Sequence, residues 1–222
     1  KLNKKRILRV MKKFGIKPYK RRIKRFIKKD DIGKKASKYT NLIKCFCPIV
    51  PDLVWVSDFT HFNFHNKFIY LATVMDLYTR EIVGFNVSRF HNTELILGAL
   101  NNALSKICIL PKFHHSDQGS EYKSQQYTDI LEKLKIKISM SNKSSPWENG
   151  HQESFYSGFK LDLGDVNRFD ELGELIESIY KKIDYYNTNR IHTALKMSPK
   201  QFRKKCQKLK VNTDSLFRKR GT

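Results

Sequence analysis

Apolar residues recur along this chain in more than one rhythm, and each rhythm predicts an element. Between Asn3 and Gly15 they fall at Ile7, Val10, Met11 and Phe14, the spacing of one helix face. Asn3 is suited to accept the first free N–H groups of that helix and Gly15 to end it. Pro18 breaks the pattern, a basic stretch YKRRIKRFIKK covers residues 19–29, and residues 30–50 read as a linker ending at Pro48 and Pro51. From Val54 the period becomes two, with Val54, Val56, Asp58 and Thr60 on one face of a predicted strand. Phe68 to Val74 and Glu81 to Val87 predict two more strands. The turn that holds Asp76 and Arg80 makes the three an antiparallel meander.

The order then changes. Ile96, Ala99, Leu100, Ala103 and Leu104 form a helical stripe behind a cap at Asn92 or Thr93. A short strand at Lys112–Ser116 carries Asp117 at its end, a helix covers residues 124–134, and Ile136–Met140 is a further strand. Pro146 opens a helix that runs through Glu153 to about Lys160. Asp170 is placed to cap a long helix with Leu172, Leu175, Ile176, Ile179 and Ile183 on one face. Three strands followed by alternating strands and helices predict an α/β domain on a mixed five-stranded sheet flanked by helices.

Charge divides the chain. The formal net charge is +23, which points to a polyanionic partner. Residues 1–50 hold 19 Lys and Arg against Asp30 and Asp31, and the remaining 172 residues hold 25 against 19 acids. The expected organisation is a basic helical arm and linker over 1–50, a globular body over 51–206 and a basic tail over 207–222. The four cysteines do not make a secreted disulfide framework in a chain of this length. No run of 18 apolar residues predicts a membrane span, and no signal peptide is visible, so the expected location is cytoplasmic.

Three acids stand out against this basic background. Asp58 follows the apolar string VWV, Asp117 lies in HHSDQGSEY and Glu153 in WENGHQESFY, with thirty-five residues between the last two. Carboxylates on three separate elements suit the binding of hard divalent cations, which favour oxygen ligands. Two such ions can serve both the attacking and the leaving oxygen of a phosphodiester.

The strings DFTHF, YLATVMDLYTREIVGF, HSDQGSEY, WENGHQESFY with a following FK, and YYNTNRIHTAL with a following SP and F cover roughly residues 51–203. In these blocks and their order the chain resembles the integrase-core transposases of bacterial insertion sequences, specifically the insertion sequence three family. The resemblance implies a ribonuclease-H-like fold and an Asp–Asp–Glu triad, here Asp58, Asp117 and Glu153, which also bind the metal. It implies two Mg²⁺ or Mn²⁺ ions as cofactors. The activity implied is metal-dependent cleavage and strand transfer of DNA, by multimers acting on element ends and target in the bacterial nucleoid. The arm resembles the end of that family's helix-turn-helix region. Its expected DNA contacts are Lys4, Lys5, Arg6, Arg9, Lys12, Lys13, Lys20, Arg21, Arg22, Lys24 and Arg25, joined by Asn149 and Arg190 from the body. The alternative is a truncated, non-catalytic DNA-binding remnant or an inhibitor of a full-length transposase. The chain has Glu148-Asn149-Gly150 where the family often has Asp-Asn-Ala, and Gln118 where it often has Arg.

Other candidates carry duller expectations. Glu148 is five residues from Glu153, about 140° around an ideal helix, so the two do not share a face. Asp76 is expected to serve a turn or ion pair and Glu121 to be solvated. Cys45, Cys47, His61 and His65 mimic a zinc finger, but a single residue between the cysteines is too tight. His114, His115 and His151 flank the triad and are expected to be packed or solvated. Tyr185, Tyr186, Asn187, Arg190 and His192 form a polar-aromatic cluster that ends a helix and either packs, supports the site or touches DNA.

Overall fold

The computed structural model describes residues 3–16, 38–44, 48–107, 109–142 and 149–218, with side chains through residue 208. It divides into a unit of residues Lys1–Ala36 and one of Ser37–Thr222. In the first, helix α1 spans Lys4–Lys13. The Asn3 side chain accepts from Lys5 N at 2.9 Å, and Gly15 follows in the left-handed region at φ 65°. Lys4, Lys5, Arg6, Arg9, Lys12 and Lys13 are exposed on it. The arm residues Lys20, Arg21, Arg22, Lys24 and Arg25 lie outside the described residues, as do Pro146, Glu148, Cys45 and Cys47.

The second unit is built on five strands, β1 (Val54–Phe64), β2 (Lys67–Asp76), β3 (Ile82–Ser88), β4 (Phe113–Ser116) and β5 (Lys137–Met140). Their order in the sheet is β3-β2-β1-β4-β5. The β1, β2 and β3 pairings are antiparallel, whereas β1–β4 and β4–β5 are parallel. Parallel neighbours need crossovers. These are supplied by α2 (Thr93–Leu104) and α3 (Gln125–Lys133). Three further helices complete the unit: α4 (Gly150–Leu163), α5 (Leu172–Thr188) and α6 (Pro199–Arg218).

Alternation along the strands feeds two cores, one on each face of the sheet. Val54, Val56, Leu71 and Met75 pack with Phe155, Phe159, Leu163, Leu175, Ile179 and Ile183 of α4 and α5. Trp55, Ala72 and Val74 pack on the other face with Leu95, Ala99 and Leu100 of α2 and Leu131 of α3. A sheet covered on both faces explains why β2 reads as an almost unbroken apolar run. Gly84 marks a close approach of β3 to α2: a Cβ there would run into Ala99 O and stand 2.6 Å from the Ala103 Cβ.

The structure departs from the sequence expectations in three places. Residues 38–44 run beside β5: Leu42 N donates to Ser139 Oγ at 2.9 Å, Met140 N donates to Thr40 O at 3.2 Å, and Ile43 is buried. They cover an edge that would otherwise expose unpaired backbone groups. The long helix starts after Glu171, not Asp170, because Glu171 and Glu174 form a capping box in which the Glu174 carboxylate accepts from Glu171 N at 3.5 Å, and that carboxylate also accepts from Asp170 N at 3.1 Å. Residues 207–218, read as a tail, are the last turns of α6.

Candidate active site

The register of β1 and β4 brings the first two acids level. Val54 pairs with Phe113 and Val56 with His115, so two residues further on Asp58 faces the position of Asp117. Pairing stops there because β4 ends at Ser116. Beyond that point α4 takes over as the neighbour of β1. Three successive carbonyls of the strand accept from its side chains. Gln152 Nε2 donates to Val56 O at 2.7 Å, Asn149 Nδ2 to Ser57 O at 3.3 Å and Tyr156 OH to Asp58 O at 2.6 Å.

Thr73, the β2 partner of Asp58, closes this network. Its hydroxyl donates to Gln152 Oε1 at 3.1 Å and lies 2.8 Å from the Tyr156 hydroxyl. Gln152, Tyr156 and Thr73 are all buried. Residues 152 and 156 are one helical turn apart and share the inward face, which leaves Glu153 exposed on the flank of α4. The i, i+4 pairing of Gln and Tyr around Glu153 was the available signal for this network, and the sequence reading did not use it.

Each aspartate is anchored by one oxygen. Phe59 N donates to Asp58 Oδ1 at 2.8 Å, and Gly119 N donates to Asp117 Oδ1 at 2.9 Å. The Asp58 carboxyl is pushed up to about 7, first by burial, then by the charge of Asp117, with Glu153 adding to it and the Phe59 N–H opposing. Burial likewise raises Asp117, against the pull of the Gly119 N–H and Lys123, while Glu121 raises it further. Three acids therefore share one electrostatic neighbourhood. Among the described residues, no three His, Cys, Asp or Glu side chains stand close enough to hold one metal ion together. The donor chemistry fits a hard cation: the groups are carboxylates, repel one another and keep one oxygen each free of these anchoring bonds. Closing the site around an ion requires Glu153 to move in from its exposed position.

The remaining candidates sort themselves by contact. His114 and His115 are buried in β4. Ser57 Oγ and the Tyr127 hydroxyl lie 2.9 and 3.2 Å from His114 Nε2, and burial drives that imidazole down to about 3. His115 Nδ1 is 2.9 Å from Ser139 Oγ. Both are packing histidines. Glu121 pairs with His91 at 3.2 Å. His61 meets Phe68 edge-on, and His65 Nε2 lies 2.9 Å from Phe169 O, so neither turns toward a shared ion.

Asp76 is wholly buried at the opposite end of β2. It accepts from Thr79 N at 3.2 Å and from the Thr79 hydroxyl at 2.5 Å. Its charge partner is Arg203 of α6, whose guanidinium also pairs with Asp52 and Glu81. That cluster is structural and ties α6 to the sheet. Asn149 is buried against β1, and Arg190 is ion-paired with Asp162.

A mixed five-stranded sheet with Asp58 of β1 facing Asp117 just past the end of β4, and Glu153 on the helix bonded to β1 and β2, has the architecture of an integrase-type core. Two family models described as "Integrase core domain" match residues 50–146 and 134–199. The chain is 34% identical over 175 residues to the transposase for insertion sequence element IS904 of Lactococcus lactis, covering 78% of this chain and 69% of that one. It is 30% identical over 204 residues to an uncharacterized transposase-like protein of Haemophilus influenzae, covering 91% and 94%. The chain belongs to the insertion-sequence transposases with an integrase core. It spans 55% to 61% of the length of several other relatives that it matches. The fold is also that of the HTLV-2 integrase catalytic core domain, solved in complex with magnesium, with a TM-score of 0.58, 17% identity, and 70% of this chain and 98% of that one covered.

Proposed function

We infer that this chain cleaves DNA at the ends of an insertion sequence and joins the resulting 3′ ends to new DNA, with Asp58, Asp117 and Glu153 as its reactive acids. The observation that carries the reading is the register of β1 and β4, which sets Asp58 beside Asp117, together with Glu153 on the helix bonded to the same strand. Asp58, Asp117 and Glu153 would hold two Mg²⁺ or Mn²⁺ ions, which supply Lewis-acid activation of the attacking oxygen and relief of charge on the leaving oxygen.

The protein groups do the positioning. The Phe59 and Gly119 N–H groups fix one oxygen of each aspartate. Asn149, Gln152 and Tyr156 hold α4 against β1 so that Glu153 has one direction of approach. The two reactions are phosphoryl transfers without a covalent protein intermediate. In cleavage, water forms the new P–O bond and the 3′ oxygen leaves; in joining, the freed 3′-hydroxyl forms the bond and a strand of the target leaves.

The basic arm supplies phosphate contacts from Lys4, Lys5, Arg6, Arg9, Lys12 and Lys13 of α1, and from Lys20, Arg21, Arg22, Lys24 and Arg25 beyond it. Double-stranded DNA is the partner, a homo-oligomer on two element ends is the working assembly, and the bacterial nucleoid in the cytoplasm is the setting. Among the described residues no helix is long and apolar enough to cross a membrane.

The test sets a gel shift on the terminal repeats beside a cleavage and joining assay in Mg²⁺ and in Mn²⁺. The wild-type chain should bind, nick and join, and Asp58→Asn should bind only. Joining retained by Asp58→Asn refutes the assignment. Binding without nicking by the wild-type chain favours a non-catalytic DNA-binding remnant instead.

A further inference from the structure

The acids do not account for a second polar cavity, on the far flank of α4. It has a volume of about 300 Å³ and lies between the first turns of α4, the C-terminal end of α5, the residues that follow it and the turn from β2 to β3. Its polar walls include Arg80, His151, Ser154, Arg190 and His192, and among the described residues no Asp or Glu lines it.

Three further observations show that these groups are aimed rather than incidental. Arg80 sits at φ 63°, a left-handed conformation that favours glycine or asparagine. Its backbone is pinned there: Arg80 N donates to Asp76 O at 2.8 Å, and the Tyr186 hydroxyl donates to Arg80 O at 3.1 Å. Backbone strain held in this way clusters at binding sites. Arg190 reaches the cavity over Gly158, where a Cβ would stand 3.2 Å from its Nη2, while its Nη1 faces Asp162 outside the cavity. His192 Nδ1 is buried without a hydrogen-bond partner, although its backbone is fixed by a bridge to Met197. The charges of Arg80 and Arg190 both act on that imidazole.

The geometry points to a phosphate-binding pocket in which Arg80, Arg190 and His192 grip one oxyanion, with Ser154 and the positive end of α4 at its wall. Guanidinium groups match the planar oxygen pairs of a phosphate, and a helix N-terminus adds favourable charge. At about 300 Å³ the pocket has room for a phosphate group. That this phosphate belongs to a DNA strand rests on the proposed function. The affinity of the pocket for the oxyanion does not.

The test uses the full chain carrying Asp58→Asn, in EDTA, so that it is independent of strand cleavage. Inorganic phosphate is titrated against the histidine ring signals by NMR at fixed ionic strength, with His192 assigned through His192→Gln. A saturable shift of His192 is expected, lost in Arg80→Gln at an unchanged thermal midpoint. Gly158→Ala provides a second route. Its methyl group displaces Arg190 without removing a charge, and should weaken phosphate binding several-fold even if Arg80→Gln folds poorly. Duplex binding is then followed against salt. The slope of log K against log salt should fall by about 1 in Arg80→Gln if the pocket takes a backbone phosphate. A His192 shift with an unchanged slope supports the pocket and assigns it to free phosphate. The absence of a saturable His192 shift overturns it, whatever the slope does.

Discussion

Asp58 carries a cost that its function would explain, and removing its charge should make the metal-free protein more stable. Unfolded, the carboxyl titrates near 3.8; in the fold it titrates near 7. Between these values the native state keeps a proton that the unfolded chain has lost, so stability falls as pH rises through this window. The loss is complete above about pH 7 and absent below about pH 4. A difference of that size corresponds to at most about 4 kcal/mol. Relaxation and water penetration around the charge bring the expectation to about 2 kcal/mol. Asp58→Asn keeps an Oδ1 to accept from Phe59 N and removes the charge that Asp117 and Glu153 oppose.

In EDTA at pH 8 the variant should therefore melt about 4–8 °C above the wild type, for a chain of this size. The gain should shrink to nothing near pH 4. Mg²⁺ should raise the midpoint of the wild type and not that of the variant, since only the wild type binds it in the folded state. Urea denaturation over pH 4 to 8.5, with and without Mg²⁺, reads all three effects. A variant less stable than the wild type at pH 8 in EDTA, or a gain equal at pH 4 and pH 8, would show that the acids do not repel one another as described.

Other perturbations follow from particular contacts. Tyr156→Phe removes the donor to Asp58 O and leaves that carbonyl and Thr73 short of a partner. It should cost about 1–3 kcal/mol in urea denaturation and slow DNA cleavage, because α4 then carries Glu153 less securely. Arg203→Met strands Asp76, Asp52 and Glu81 without their cation; a loss of about 3–5 kcal/mol is expected, and wild-type stability in that variant would remove the cluster from the account. Gly84→Ala puts a methyl group into α2, 2.6 Å from the Ala103 Cβ, and should lower stability by about 1–3 kcal/mol, read as the thermal midpoint.

What the chain discloses about itself depends on how local the physics is. The alternation at Val54, Val56 and Asp58 and the stripe from Ile96 to Leu104 are short-range patterns, so β1 and α2 could be read directly. The acids were legible as types, but their convergence was not: Asp58 and Asp117 meet through a parallel pairing between residues far apart in the chain, and only the family resemblance pointed to it. Asp76 was expected to serve a turn or ion pair, and it does. Its partner Arg203 lies 127 residues away, and nothing in the neighbourhood of either residue announces the pairing. The stretch 38–44 looked like linker because its role is to donate and accept backbone hydrogen bonds along β5, which needs no sequence signature. The last turns of α6 were hidden by basic residues that read as a tail.

A division of labour emerges along β1. Its first half is conventional, with β2 on one side and β4 on the other. Where β4 stops, helix side chains replace the ladder, and the strand gains a carboxylate neighbourhood instead of a strand neighbour. The buried Gln152–Thr73–Tyr156 network sets the helix there with hydrogen bonds whose loss is costly in a dry interior. Such a network fixes the side of the strand on which α4, and Glu153 with it, is held.

The most direct measurement is anomalous diffraction at the manganese edge from crystals of the full chain grown with Mn²⁺ and a duplex of one element end. The account predicts manganese density against Asp58 and Asp117, with the Glu153 carboxylate drawn in from the surface of α4 to complete the ligand set. Manganese bound elsewhere on the chain, with Asp58 and Asp117 bare in the presence of DNA, would contradict it.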